Sequence, residues 1–191
     1  MPNFRHRLTR AQQRVYDRSN ETPSIPLGAS ARLRQGVLGL QGALRAEDRL
    51  RVERTSQVIA DEITRYLRVS TVRVLVSGVR PSNARGELHG LYTPARGPWP
   101  SRIHVWMMTA KRGKIVAFKT FLRTVLHEIC HHLDYTLLKL PDSLHTDGFY
   151  QRESSLFHQI GGNVATAQAV ELRTNGGDRR RAPAAAALPG A

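Results

Sequence analysis

The fold turns on one stretch, IVAFKTFLRTVLHEICHHLDYTLL, residues 115–138. Phe118, Leu122, Val125, Ile129 and Leu133 recur at helical spacing, with Phe121 and Leu126 at the edges of the stripe. That spacing predicts a long amphipathic helix with its stripe in a core. His127 and His131, four apart on another face, can aim two imidazoles at one point, and Glu128 lies between them. H-E-x-x-H on a helix pairs two zinc ligands with a carboxylate placed to take a proton from metal-activated water. Ile129 and Cys130 fall toward the core, and His132 points away from the pair, as expected of an incidental histidine on a solvated face.

Outward from this helix the pattern changes period. Residues 43–69 place Leu44, Leu50, Val58, Ile59, Ile63, Tyr66 and Leu67 largely at 3–4 spacing and predict a helix. TVRVLVSG (71–78), ELHGLYTP (87–94) and SRIHVWMMTA (101–110) read as three short strands separated by turn residues. Pro141 stops the long helix. A last helix is expected over 148–160, capped by Thr146 or Asp147 and ended by Gly161-Gly162. Residues 1–43, with two prolines at 23 and 26 and three glycines in GVLGLQG (36–42), read as a basic, loosely ordered arm. Residues 44–162 read as one domain, and 163–191 as a disordered tail. The fold class is α+β: a small antiparallel three-stranded sheet packed on the histidine helix, with flanking helices.

A catalytic zinc ordinarily takes a third protein ligand. The candidates are His145, Glu153, Asp134 and His158, and His145 is placed ahead of Glu153. Phe149, Leu156 and Ile160 form the buried face of the last helix with Glu153 among them, so that carboxylate needs a partner: the metal, a ligand histidine or an arginine. Asp134, three residues after His131, suits orienting a ligand better than reaching the metal. Tyr92, Tyr135 and Tyr150 are each candidates to stabilise an oxyanion, whereas His89 and His104, in strands, read as structural.

The chain resembles the SprT-like zinc metallopeptidases of the zincin class over about residues 45–160, through His127, Glu128 and His131 and then His145 with Phe149 four residues on. That family often has glycine directly after the third histidine; here HTDGF puts Gly148 three residues on, and no cysteine-rich zinc ribbon follows. The resemblance implies a zinc-dependent peptidase with Glu128 as general base, Zn2+ on His127, His131 and His145, and a protein or peptide substrate. It also implies an edge strand that binds substrate backbone, a role it suggests for SRIHVWMMTA, with Trp106, Met107 and Met108 either divided between core and cleft wall or all three in the core.

The net charge is +14, with 29 basic and 15 acidic residues, and 25 of the 29 are arginine. Such a surface favours polyanions, so nucleic acid is a second expected partner. The alternative reading is a nucleic-acid-binding protein whose zincin-like core holds metal without catalysis. A single cysteine excludes an internal disulfide, and neither a signal h-region nor an apolar run of spanning length is present, so a cytoplasmic protein without a membrane segment is expected.

Overall fold

The computed structural model describes residues 4–28, 30–84 and 86–176, with side chains through residue 161. In chain order it contains α1 (Arg10–Asn20), α2 (Ala31–Arg45), α3 (Arg49–Tyr66), β1 (Arg73–Val79), β2 (Ser82–Asn83), β3 (Gly86–Glu87), β4 (Gly90–Thr93), β5 (Arg102–Met108), α4 (Phe118–Thr136) and α5 (Asp147–Gly176). The class is α+β.

Residues 1–43 are not a loose arm where they are described. Thr9 opens α1 in a reciprocal capping box with Gln12, and Ser30 caps α2 by accepting from Leu33 N. Val15, Tyr16, Ile25, Leu33, Val37 and Leu40 are buried. Two of the three glycines of GVLGLQG act by their lack of bulk. A Cβ on Gly36 would meet Val58 at 3.1 Å and one on Gly39 would meet Thr55 at 3.0 Å, so these positions let α2 lie close along α3. The helix expected over 43–69 is two helices. Glu47, at φ 55°, breaks the run, and Asp48 restarts it by accepting from Arg51 N at 3.0 Å.

The sheet is mixed, which corrects the antiparallel expectation. Its order is β1-β5-β4, with β1 parallel and β4 antiparallel to β5. The chain between β1 and β4 includes the small β2-β3 hairpin and is long enough to skip one strand width, so β5 inserts between them. SRIHVWMMTA is therefore the central strand. Trp106 and Met107 are buried, and neither is part of the clefts beside the histidines. The free edge belongs to β4, which packs on α4.

The outer edge of β1 is closed by side chains. Gln57 accepts from Val74 N (2.7 Å) and donates to Val72 O (2.9 Å). Glu53 accepts from Val76 N (2.8 Å), and Arg49 donates to Val76 O (2.9 Å). Arg49, Glu53 and Gln57 stand four apart on α3, so one row of the helix satisfies the strand's backbone groups.

The core lies between sheet and helices. Phe121, Leu122, Val125, Leu126, Ile129, Cys130 and Leu133 of α4 pack with Val74, Val76, Ile103, Val105 and Met107 of the sheet and with Phe149, Leu156 and Ile160 of α5. Gly161-Gly162 does not stop α5, whose backbone runs to Gly176. A glycine costs about 1 kcal/mol relative to alanine within a helix, which weakens it without breaking it. Of the tail expected to be disordered, 163–176 thus lies in α5, and 177–191 fall outside the described residues. No helix among the described residues is long and apolar enough to cross a membrane.

Candidate metal centre

The buried stripe of α4 fixes that helix in rotation, and His127 and His131 emerge together at the rim of the core. After α4 the chain reverses. Lys139 adopts φ 54°, Leu140 N donates to Asp134 O at 2.9 Å, and residues 141–146 return past the helix. Thr146 then caps α5, its Oγ1 accepting from Phe149 N at 3.0 Å, and the turn just before it carries His145.

His145 Nε2 lies 3.0 Å from His127 Nε2 and 3.1 Å from His131 Nε2. Phe149 is fully buried beneath the three rings, its centroid 4.9, 4.7 and 5.1 Å from those of His127, His131 and His145. Tyr150 stacks on His145 at 5.8 Å.

The far nitrogens show which atoms are free to bind. His127 Nδ1 donates to Glu153 Oε2 at 3.0 Å. His131 Nδ1 donates to Ser143 Oγ at 2.7 Å, and Ser143 in turn donates to Asp134 Oδ2 at 2.7 Å. Both Nδ1 atoms therefore carry the proton, and both Nε2 lone pairs face the common point. Burial, helped by the charges of His127 and His145, pushes His131 down to about 3, so it is neutral at ordinary pH. Burial also lowers His145. Lone pairs converging this closely repel unless a cation lies between them. Nitrogens bound tetrahedrally to zinc at about 2.0–2.1 Å stand about 3.3 Å apart, close to the spacing found here. The donor set and its spacing fit a zinc ion on His127, His131 and His145.

Glu153, the rival ligand, holds His127 and also accepts from Arg123 Nη1 at 3.3 Å. Asp134 is wholly buried and reaches His131 through Ser143. His158 is exposed on α5 and bonds Ser154 O at 2.8 Å, outside the cluster.

Glu128 lies beside the cluster, 5% exposed, under β4. A Cβ on Gly90 would collide with its carboxylate, so only glycine leaves room there. Burial raises its pKa to about 7, against the opposing influence of His127 and a backbone hydrogen bond from Tyr92. Two clefts meet at His127, Glu128 and Gly90. One, about 340 Å³, is walled by His89, Arg123 and Glu153; the other, about 290 Å³, by Tyr92, Tyr135, His131 and His145. His89, expected to be structural, thus faces the site. His104 is structural as placed, 2.8 Å from Ser77 Oγ and stacked on Trp106.

No family model matches this chain, and no curated protein or solved structure does. Its chemistry rests on the site's own geometry.

His132, expected on a solvated face, lies inside the protein. It is fully buried, donates through Nε2 to Ser70 O at 2.7 Å, and lies 3.2 Å from the Tyr92 hydroxyl through Nδ1. Sharing its hydroxyl between His132 and Ser101, Tyr92 ties β4 to α4.

Gly90, Ser143, Arg152 and Ser19 escape the motif. Arg152 donates to Asp134 Oδ1 at 2.8 Å, to Ser19 Oγ at 2.9 Å, and to the Ser19 and Thr22 carbonyls at 2.6 and 2.7 Å. Ser19 also bonds Thr146 Oγ1 at 2.9 Å, and Asn20 Oδ1 accepts from Gly148 N at 2.7 Å. The end of α1 thereby clamps the turn that carries His145. Two of the four left a trace: Arg152 falls in the buried 3–4 pattern of α5, and Gly90 is a glycine alone inside a strand. Ser19 and Ser143 carry no comparable signal.

Proposed function

We propose that this chain is a zinc-dependent metallopeptidase with a zincin-like core of the SprT-like kind, acting on protein or peptide substrates in the cytoplasm. The observation that carries the reading is the convergence of His127, His131 and His145 Nε2 beside a buried carboxylate at an open sheet edge. Zinc bound there would supply a Lewis acid that polarises the scissile carbonyl and makes a coordinated water acidic. The three imidazoles would hold it, with Glu153 and Ser143 fixing the orientation of His127 and His131 and Phe149 packed beneath the rings.

Glu128 is the proton carrier. Its raised pKa lets it take a proton from water near neutral pH and pass it to the departing amine. Extended substrate fits along the outer edge of β4 by strand addition, which aligns a peptide bond over Glu128. Structural zinc normally closes on four protein ligands, whereas this set offers three beside a cleft, which favours catalysis over a metal-binding protein without activity.

The decisive experiment compares wild type with Glu128→Gln. The variant should keep stoichiometric zinc and lose casein cleavage. Equal behaviour of the two proteins on every substrate, with zinc bound in both, would leave the non-catalytic alternative standing.

A further inference from the structure

The outer face of the sheet carries a cavity of about 620 Å³, larger than either cleft at the metal centre. Arg73, Arg96, Arg102 and Trp99 line it, and no acidic residue does. We propose that this cavity binds single-stranded nucleic acid, with the three arginines on its phosphates and Trp99 stacked on a base.

Charge is the first ground. All three arginines are exposed, and none takes part in an ion pair among the described residues. Arg73 and Arg102 are register partners on β1 and β5, flanked by the buried Val72, Val74 and Ile103, so they stand side by side on the outer face. Like charges directly opposed across neighbouring strands work against the fold. A polyanion is the partner that relieves this arrangement.

The presentation of Trp99 is the second. It is 73% exposed, at the end of a closed turn. Arg96 and Trp99 exchange both backbone hydrogen bonds, at 3.0 and 3.1 Å, around Gly97 at φ 56° and Pro98. Ser101 Oγ anchors the turn by accepting from Ala95 N at 3.1 Å. A large aromatic held in the open on a short, hydrogen-bonded turn gives up little freedom when a base stacks on it. Single strands offer the π-faces that a duplex hides between its pairs. An acidic peptide would satisfy the arginines but leave the indole without a matching plane.

Position is the third. Pro94 borders both this cavity and the cleft of His131 and His145, so a strand lying across Arg102 and Thr93 ends next to the metal centre. The proposal does not depend on the peptidase reading.

The test uses the full chain with a fluorescein-labelled oligo(dT) of about 16 nucleotides, within the reach of a single stacking platform. Binding by polarisation should be accompanied by quenching of Trp99 emission. Trp99→Ala should weaken it about tenfold or more, while Trp99→Phe retains most of it. Arg73→Gln/Arg96→Gln/Arg102→Gln should lower the slope of log K against log salt by about 2. All four positions are exposed, and an unfolding midpoint no lower than that of wild type verifies each variant. Undiminished binding by the triple variant overturns the proposal. So does heparin or polyglutamate binding as tightly as oligo(dT) with no effect of Trp99→Ala, which would mean a general polyanion surface. Absence of oligo(dT) binding at low salt overturns it as well.

Discussion

Arg152 and Asp134 meet where no solvent reaches: Nη2 stands 2.8 Å from Oδ1, and both side chains are 0% exposed. The pair joins α5 to α4, and through Ser143 it bears on His131. Breaking a buried pair from one side strands the other charge. Arg152→Met should therefore cost about 3–5 kcal/mol in urea unfolding. Arg152→Met/Asp134→Leu should recover part of that loss, because no charge is then left buried. A loss below about 1 kcal/mol in the single variant would show that Asp134 finds another partner.

Gly90 makes a sharper statement about catalysis. A methyl group there occupies the space of the Glu128 carboxylate. Gly90→Ala should leave zinc content at wild-type level and reduce kcat by about 10²-fold, the scale expected when a reacting group is displaced by about 1 Å. Wild-type kcat in a folded, zinc-loaded variant would mean that Glu128 is not the proton carrier.

Zinc analysis separates ligand from supporter. His145→Ala should lose the metal outright. Glu153→Ala should keep the site and weaken it about 10–100-fold, since His127 loses the carboxylate that orients it. Competition with a chelator reads both. Full zinc in His145→Ala together with none in Glu153→Ala would exchange their roles.

Glu62 governs acid stability at the α2–α3 contact. Burial alone would raise its pKa, but hydrogen bonds from Arg65 and Ser30, with the charges of Arg65 and Arg32, hold it below the ordinary carboxylate value. Its stabilisation is thus full at neutral pH. It begins to fade near the unfolded-state pKa and is gone below the native one. Glu62→Gln should cost about 1–3 kcal/mol at pH 7 and nearly nothing in strong acid. A constant difference across the acid range would place the effect in packing rather than charge.

Much of the centre is legible in the chain, because helical spacing alone puts His127 and His131 on one side and Ile129 and Cys130 on the other. His145 is harder, since a turn must bring it back, and the turn is held by Ser19 and Asn20, more than a hundred residues earlier in sequence. Nothing local announces such a contact. The strand order is hidden for a similar reason: alternation gives each strand's two faces but not its neighbours, so β5 passes for an edge. GVLGLQG misleads in another way, because glycine weakens an isolated helix yet permits the close approach of α2 to α3, and tertiary packing decides between them.

The row of Arg49, Glu53 and Gln57 along β1 has a consequence for self-association. Endless stacking of strands requires two open borders per molecule, one to receive and one to offer. Among the described residues this sheet has a single one, at β4. A second copy that joins there edge to edge brings its own closed β1 to the far side, so the combined sheet ends. The domain can present a docking edge to extended chains without becoming the template for a fibre.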